Sequence, residues 1–245
     1  MERAAVGSSS NPGGAVTKIS SAMSGVRFLA PSAAIAELAL LAVGGCSSGG
    51  STSGSAQAST SSPSSPATQT YASKDFMLPL TVTVDASLKS PPVSDLKMLL
   101  TWDAAHSSLN KVRFLVPTSV YRPGSLTPEA PPKHYLKYLQ GLTRHGVKLS
   151  NVVKITVDGH PATLMTATSD AAAGPPEGFD GNLGCPDPAS AAEGCYGIQP
   201  EISARIAVIP VGKTTLLAWA RTSRTNPDET FFAMFERMLK SVRFR

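Results

Sequence analysis

Ser94 and Lys97 form a Ser-x-x-Lys pattern, so their types and spacing could support nucleophilic catalysis. That chemistry needs the serine at the start of a helix and the lysine one turn later, where it can remove the serine proton. The Ser-Asp-Asn and Lys-Thr-Gly motifs that complete such a site do not follow. A serine-rich chain contains the tetrapeptide by chance. We therefore predict that the protein is not an enzyme, and a serine-type hydrolase is the alternative.

Residues 212–215, Gly-Lys-Thr-Thr, match the end of a phosphate-binding loop. The glycine that such a loop requires five positions before Gly212 is replaced by Ala207. An apolar strand pattern also runs through the residues in between. We therefore predict a hairpin turn at this position and no nucleotide cofactor.

Metal chemistry is not indicated by the spacing of the potential ligands. The histidines lack the intervals that are typical of zinc sites; they are His106, His134, His145 and His160. Four carboxylates in or beside the segment 171–200 do not match a calcium loop; they are Asp170, Glu177, Asp180 and Asp187. We expect no metal ion and no other cofactor.

An apolar run at 28–43 follows Arg27 and ends in small residues before Cys46. A positive charge, a short apolar run and small residues at the cut define a signal peptide. The run is shorter than the roughly 20 residues that span a bilayer as a helix. We predict residues 1–45 to be a signal peptide, whose long leading region would shorten if translation begins at Met23. A buried core segment is the alternative, but the polar tract that follows could not supply such a core.

The sequence Val-Gly-Gly-Cys at 43–46 resembles the lipobox of bacterial lipoproteins. In that family the cysteine thiol is diacylglycerylated and becomes the mature N-terminus. The resemblance implies lipid attachment, including palmitate, at Cys46. It also implies a domain held by this lipid at the extracytoplasmic face of the cell membrane. Glu37 within the apolar run departs from the usual pattern.

After Cys46 the chain is rich in Ser, Gly, Thr and Pro up to about residue 70. Such a segment buries almost no apolar surface, so 46–70 is predicted to be a disordered tether. A flexible chain of this length spans roughly 25–30 Å on average. The remaining residues, 71–245, have the size of a single domain.

With Cys46 acylated, Cys185 and Cys195 remain as an even pair in a loop rich in Gly, Pro and Ala. Outside the cytoplasm such a pair is usually oxidised, so we predict a disulfide. A metal site of two thiols is the alternative, but no histidine or further cysteine lies near them in the sequence.

The chain has 22 Lys and Arg residues against 17 Asp and Glu residues, a formal net charge of +5. Nucleic-acid-binding proteins cluster their positive charges on one face, whereas here these charges are distributed along the whole sequence. We expect no nucleic-acid partner. Attraction to an anionic lipid or polymer is compatible with this charge.

Strands are indicated by alternating apolar residues and by turn signals between them. The predicted strands are 76–84, 97–105, 112–116, 152–157, 162–168, 202–209, 214–221 and 242–244. A short helix capped by Ser94 is the alternative for 97–105. Residues 171–200 are predicted to be an irregular insertion closed by the disulfide.

Two helices are predicted from apolar spacing and from their end signals. The first covers 133–145 and ends at Gly146, a residue type that favours helix C-termini. The second begins after Asn226 as N-cap, with Pro227 in its first turn and a wide apolar face.

This order of elements predicts an α+β domain in which an antiparallel sheet is packed by two helices. The order, together with Val-Arg-Phe-Leu-Val-Pro at 112–117, Val-Asp-Gly-His-Pro-Ala at 157–162 and the ending at 235–244, resembles the PsbP-like fold. This fold is named after an extrinsic subunit of photosystem II and is shared by many small bacterial lipoproteins. The resemblance implies a binding or assembly role and no catalytic residues.

These patterns lead to the expectation of a non-enzymatic lipoprotein with a binding or assembly role in the cell envelope. Its partner would be an envelope protein, polymer or lipid, contacted through the insertion, since long ordered loops often carry function. A carrier or sensor of a lipid or another small apolar ligand is one alternative. An envelope hydrolase that uses Ser94 and Lys97 is the other.

Overall fold

The computed structural model of the protein describes residues 68–170, 182–191 and 194–245. Its helices are α1 (Tyr135–Gly141), which continues as a 3-10 turn over Leu142–His145, and α2 (Glu229–Ser241). Its strands in chain order are β1 (Thr68–Ala72), β2 (Leu80–Asp85), β3 (Ser94–Leu96), β4 (Leu99–Ala104), β5 (Ser107–Leu115), β6 (Val147–Val157), β7 (His160–Ser169), β8 (Asn182–Gly184), β9 (Tyr196–Gly197), β10 (Ile202–Val211), β11 (Thr214–Ser223) and β12 (Arg243–Phe244).

A seven-stranded antiparallel sheet forms the centre, in the order β3-β4-β5-β11-β10-β7-β6. β1, β2 and β12 form a smaller antiparallel sheet, and β8 pairs with β9. The longest regular pairing joins β10 to β11, from Ile202↔Ser223 to Val211↔Thr214. Their two-residue turn contains Gly212 at φ 61°, a left-handed conformation that glycine adopts without steric cost. The predicted turn is thus confirmed.

Both faces of the seven-stranded sheet are covered at its central strands, whereas the edge strand β6 is mostly exposed. α2 and the smaller sheet cover one face, over Trp102 and Phe114. α1 and the segment around β8 cover the other face, over Trp219. Because successive side chains point to opposite faces, a strand that is covered on both sides is buried at every position. β10 shows this from Ile202 to Ile209, and its residues there are apolar except for Ser203 and Arg205.

The predicted α+β domain with an antiparallel sheet is confirmed, but two helices supply only part of its cover. α1 has seven residues and is therefore about 10 Å long. Seven strands about 4.8 Å apart form a much wider surface. The smaller sheet and the segment around β8 cover the remainder.

Two boundaries differ from the prediction at the start of the domain. β1 includes residues 68–70, which were assigned to the tether, because Thr68–Ala72 pairs with Thr81–Asp85 of β2. The first predicted strand, 76–84, begins only at Leu80 because Pro79 lies directly before it. The predicted signal peptide 1–45, Cys46 and residues 47–67 lie outside the described residues. Within the described ranges, no helix has the length and apolar character needed to cross a membrane.

The N-cap of α2 is Asp228, two residues after the predicted Asn226. The Asp228 carboxylate accepts a hydrogen bond from the Phe231 N–H at 3.0 Å, which satisfies a donor that the helix itself cannot use. The Thr230 hydroxyl also donates to it at 2.6 Å. Asp228 therefore provides the cap that the sequence assigned to Asn226.

We expect Asp228→Ala to lower the free energy of unfolding by about 1 kcal/mol, because the cap is lost. The hydrogen bonds from Thr230 and Phe231 hold the pKa of the Asp228 carboxyl below its ordinary value. Because the pKa is lower in the folded state, the ionised carboxylate stabilises the folded protein at pH values above the unfolded-state pKa, near 4. This stabilisation is lost as the pH falls through the folded-state pKa. Urea unfolding from pH 7 to pH 3 measures both effects.

Asp228→Asn is the matched control, since asparagine caps helices as well as aspartate but does not titrate. It should keep most of the stability at pH 7. Below pH 4 the difference in free energy of unfolding between the parent and Asp228→Ala should become smaller. The difference between Asp228→Asn and Asp228→Ala should not change. A parent whose advantage over Asp228→Ala does not change with pH would contradict the role of the carboxylate.

Candidate functional site

A group of positive side chains surrounds the start of α1. Tyr135, Leu139 and Leu142 are buried against the sheet, and this fixes which face of the helix points outward. Lys137 lies within the helix and Lys133 lies two residues before its start, and both are exposed. Both side chains line the same cavity beside the helix.

Two cavities lie on this surface and share Lys133 and His134. The first, about 360 Å³, lies between α1, the β6–β7 hairpin and the β10–β11 turn, and includes Lys154 and Lys213. The second, about 510 Å³, extends along α1 and includes Lys137 and His145. We call the shared surface the basic cleft, defined by Lys133, His134, Lys137, His145, Lys154 and Lys213.

The basic cleft carries positive charge that its described surroundings do not neutralise. No aspartate or glutamate lines either cavity. Its four lysines form no ion pair with a described residue, and Lys154 donates only to the Thr163 hydroxyl at 3.1 Å. Arg122 borders the second cavity, but Glu129 neutralises it. Four unpaired charges around joined cavities attract anions.

The Gly-Lys-Thr-Thr motif contributes to this cleft in an unexpected way. As predicted, its residues form a hairpin turn and the strand that follows, not a phosphate-binding loop. However, residues 212–215 line the first cavity, and Lys213 is exposed there. The lysine therefore adds charge to the cleft from the end of a hairpin.

The predicted disulfide between Cys185 and Cys195 is present. Cys185 is fully buried, and its backbone bonds to Thr118 and Ser119 at 2.9 Å. The Tyr135 and Tyr138 hydroxyls donate to the carbonyls of Leu183 and Asn182 at 2.8 and 2.9 Å. The described end of the insertion is therefore fixed to the domain beside α1.

The Ser94–Lys97 pair does not have the geometry that its catalytic interpretation needs. Ser94 lies in β3, which pairs with β4, and Lys97 is in the turn between these strands. The lysine is therefore not one helical turn from the serine. The stretch 97–105 is mainly strand, and the alternative of a helix capped by Ser94 is wrong.

The potential metal ligands are dispersed in the part of the chain that the structure describes. No group of three His, Cys, Asp or Glu residues is placed there to hold a metal ion. Asp170 pairs with Lys148 and Arg224, and Asp187 accepts from the Ala189 N–H. Glu177 and Asp180 lie outside the described residues. The absence of metal and other cofactors stays a prediction.

Sequence reasoning missed the basic cleft because its lysines come from separate elements. Lys133 and Lys137 belong to the α1 region, Lys154 to β6 and Lys213 to the β10–β11 turn. The sequence signal that could have found them is the outward-facing pair at 133 and 137. Only the antiparallel order of the sheet brings Lys154 and Lys213 to that pair.

No family model matches the chain, and no curated protein sequence matches it significantly. Among solved structures it is similar to cyanobacterial PsbP from Synechocystis sp. PCC 6803, with a TM-score of 0.38, 9% identity and coverage of 73% of this chain and 92% of that chain. It is also similar to the Ran-binding protein Mog1p from Saccharomyces cerevisiae, with a TM-score of 0.42, 9% identity and coverage of 73% and 96%. At these values the likeness concerns the arrangement of elements and says nothing about a site. Membership of the PsbP-like family stays a prediction.

Proposed function

We propose that the protein is a lipid-anchored, extracytoplasmic, non-enzymatic binding protein, and that its basic cleft holds a phosphate-bearing polymer of the cell envelope. The observation that carries the proposal is the set of four lysines, without an ion-pair partner in the described part of the chain, around two cavities that share Lys133 and His134. An ammonium group binds phosphate as a point charge from many directions. An open cleft with several such groups suits a flexible chain with repeated charges.

The anchor rests on the sequence before the domain. An apolar run, small residues and Cys46 follow the order of a lipoprotein signal, and a polar tract separates Cys46 from β1. A tether of that composition keeps the domain within a few nanometres of the membrane. Binding of an envelope polymer would take place in the same layer.

Replacing Cys46 by alanine should release the protein from the membrane fraction or leave it unprocessed, because no thiol accepts the lipid. Cell fractionation followed by mass analysis of the mature N-terminus measures both results. Ser51→Ala in the same polar tract is the control, since it keeps both the acylation site and the disulfide. A Cys46→Ala protein that fractionates and is processed like the parent would exclude the anchor.

Reversing two cleft charges, Lys154→Glu with Lys213→Glu, should weaken polyanion binding about tenfold or more, since each lysine near an anionic surface contributes about 1 kcal/mol. Binding of the detergent-purified, full-length protein to long-chain polyphosphate measures this. Lys89→Glu with Lys97→Glu, at exposed lysines outside the cleft, is the control with equal net charge.

Binding should also fall as salt concentration rises, because exposed charges are screened. If the two double variants weaken binding equally, net charge and not the cleft is responsible. If vesicles of anionic phospholipid bind through Lys154 and Lys213 while polyphosphate does not, the partner is a lipid surface and the polymer assignment is wrong.

A further inference from the structure

A second cationic site lies on the same sheet face as α1, at the described end of the insertion. Arg113 on β5 lies opposite Trp219 on β11, and Arg221 on β11 lies opposite Lys111 on β5. Since alternate residues share a face, all four side chains project from the same side of the sheet. This side of the sheet therefore carries the three positive charges of Lys111, Arg113 and Arg221 in two adjacent cross-strand pairs.

One carboxylate neutralises one of these charges. Asp103 pairs with Lys111, with 2.6 Å between its Oδ1 and the lysine Nζ. Arg113 and Arg221 form no ion pair with a described residue. Burial, followed by repulsion from Arg221, lowers the pKa of Arg113 to about 10. Like charges at close range destabilise a sheet. Asp103 offsets part of this repulsion at both arginines and Glu201 does so at Arg221, but neither forms an ion pair with them. An anion bound between the arginines would therefore be favourable.

The hydrogen bonds of the two guanidinium groups are also incomplete. Arg221 donates from Nε to the Leu109 carbonyl at 3.0 Å and from Nη1 to Gln199 Oε1 at 3.5 Å. Arg113 donates to no described residue, its Nε is buried without a partner, and its guanidinium lies 4.6 Å from the centre of the Tyr196 ring. Each guanidinium offers five N–H donors, so most of those in this pair have no partner among the described residues.

Arg205 is a buried arginine with a structural role, and its partners can be compared with those of Arg113. It is 8% exposed, and it donates to Glu236 at 2.9 Å, to the Asn151 carbonyl at 3.0 Å and to the Thr166 hydroxyl at 3.1 Å. Its charge and its donors are therefore satisfied internally. Arg113 lacks both kinds of partner among the described residues.

The unused donors face a cavity of about 180 Å³. The half-buried Tyr196 ring supplies apolar surface, and Gln199 supplies a neutral polar group. Trp219, whose ring centre lies 5.5 Å from that of Tyr196, lines the pocket but is only 2% exposed. We call this the arginine pocket, defined by Arg113, Cys195, Tyr196, Gln199, Trp219 and Arg221. It shares no residue with the basic cleft and is much smaller than either cavity there.

We propose that the arginine pocket binds the carboxylate group of a small organic acid. A guanidinium fork matches the two oxygens of a planar carboxylate, and the aromatic rings fit a short apolar body attached to it. A carboxylate bound there accepts hydrogen bonds from Arg113 and Arg221 and separates their charges. This site goes beyond the proposed function, because it accepts a small ligand and not a polymer.

The test measures thermal unfolding of the detergent-purified, full-length protein with acetate, succinate or benzoate, against chloride and inorganic phosphate at equal ionic strength. A ligand that binds the folded state alone raises the unfolding temperature with its concentration. We expect a saturable rise with at least one carboxylate, together with a change in the emission of the tryptophan that lines the pocket.

Arg113→Met should weaken this binding at least about tenfold, because charge-assisted bonds are lost. Arg113→Lys keeps the charge but loses the fork and should bind with intermediate affinity. Lys89→Met, at an exposed lysine outside both cationic sites, is the matched control and should bind carboxylates like the parent. A parent protein that binds carboxylates but does not bind polyphosphate would overturn the proposed function alone.

Three results would overturn this inference. The first is that carboxylates raise the unfolding temperature no more than chloride does. The second is that phosphate alone binds saturably. The third is that Arg113→Met binds like the parent. Should Arg113→Met fail to fold, Arg221→Met is measured in its place, with the same expected loss of affinity and the same contradicting results.

Discussion

Replacing Phe235 by alanine lowers the free energy of unfolding by about 3–5 kcal/mol. Phe235 lies on α2 and is fully buried between that helix and the seven-stranded sheet. Alanine removes its apolar contact area and leaves a cavity that the sheet, paired on both sides of each central strand, cannot collapse to fill. Domains are stable by about 5–15 kcal/mol, so this change removes a large part of the total.

Urea unfolding followed by tryptophan fluorescence measures the difference. Arg237→Ala, on the exposed side of α2, is the matched control, since its bond to Asp85 is long at 3.5 Å and exposed ion pairs contribute little. It should change the stability by about 0.5 kcal/mol or less. Equal losses in the two variants would mean that α2 does not pack on the sheet through Phe235.

Removing the disulfide with Cys185→Ala and Cys195→Ala lowers the free energy of unfolding by about 2.5–3 kcal/mol. The estimate follows from the sequence separation of 10 residues, which sets the loop entropy that the bond removes from the unfolded chain. The variant should still fold, because Tyr135, Tyr138 and the backbone of Thr118 continue to bond to the segment at 182–185.

Unfolding of the double variant, and of the parent with and without a reducing agent, checks this estimate. The reduced parent and the variant should lose stability by similar amounts, and the reducing agent should have no effect on the variant. A double variant as stable as the oxidised parent would show that the bond does not constrain the unfolded chain.

The parts of the fold with dense local signals were predictable from sequence. α2 shows an apolar face at helical spacing, and its Phe231, Phe235 and Met238 are all buried. The β10–β11 hairpin shows apolar strands around a glycine turn. β1 could not be recognised because its residues, Thr-Gln-Thr-Tyr-Ala, have no apolar alternation and are mostly exposed. Its pairing with β2 depends on the backbone.

The candidate sites were less predictable because they depend on contacts between distant parts of the chain. The disulfide could be predicted because Cys185 and Cys195 are an even pair of cysteines in a protein assigned to the outside of the cytoplasm. Arg113 and Arg221, by contrast, become neighbours only because β11 inserts beside β5 in the sheet. The apolar residues around each arginine indicate a strand. They do not show that the strand next to it carries the other arginine.

The two ends of the described domain flank one short strand from opposite sides. β1 and β12 both pair with β2, with Thr68 opposite Asp85 and Phe244 opposite Leu80. A mechanical pull between residue 68 and residue 245 therefore acts along β2, and antiparallel hydrogen bonds lie perpendicular to the strands. The load is a shear that stresses all of the hydrogen bonds between these strands together, instead of breaking them one after another from one end.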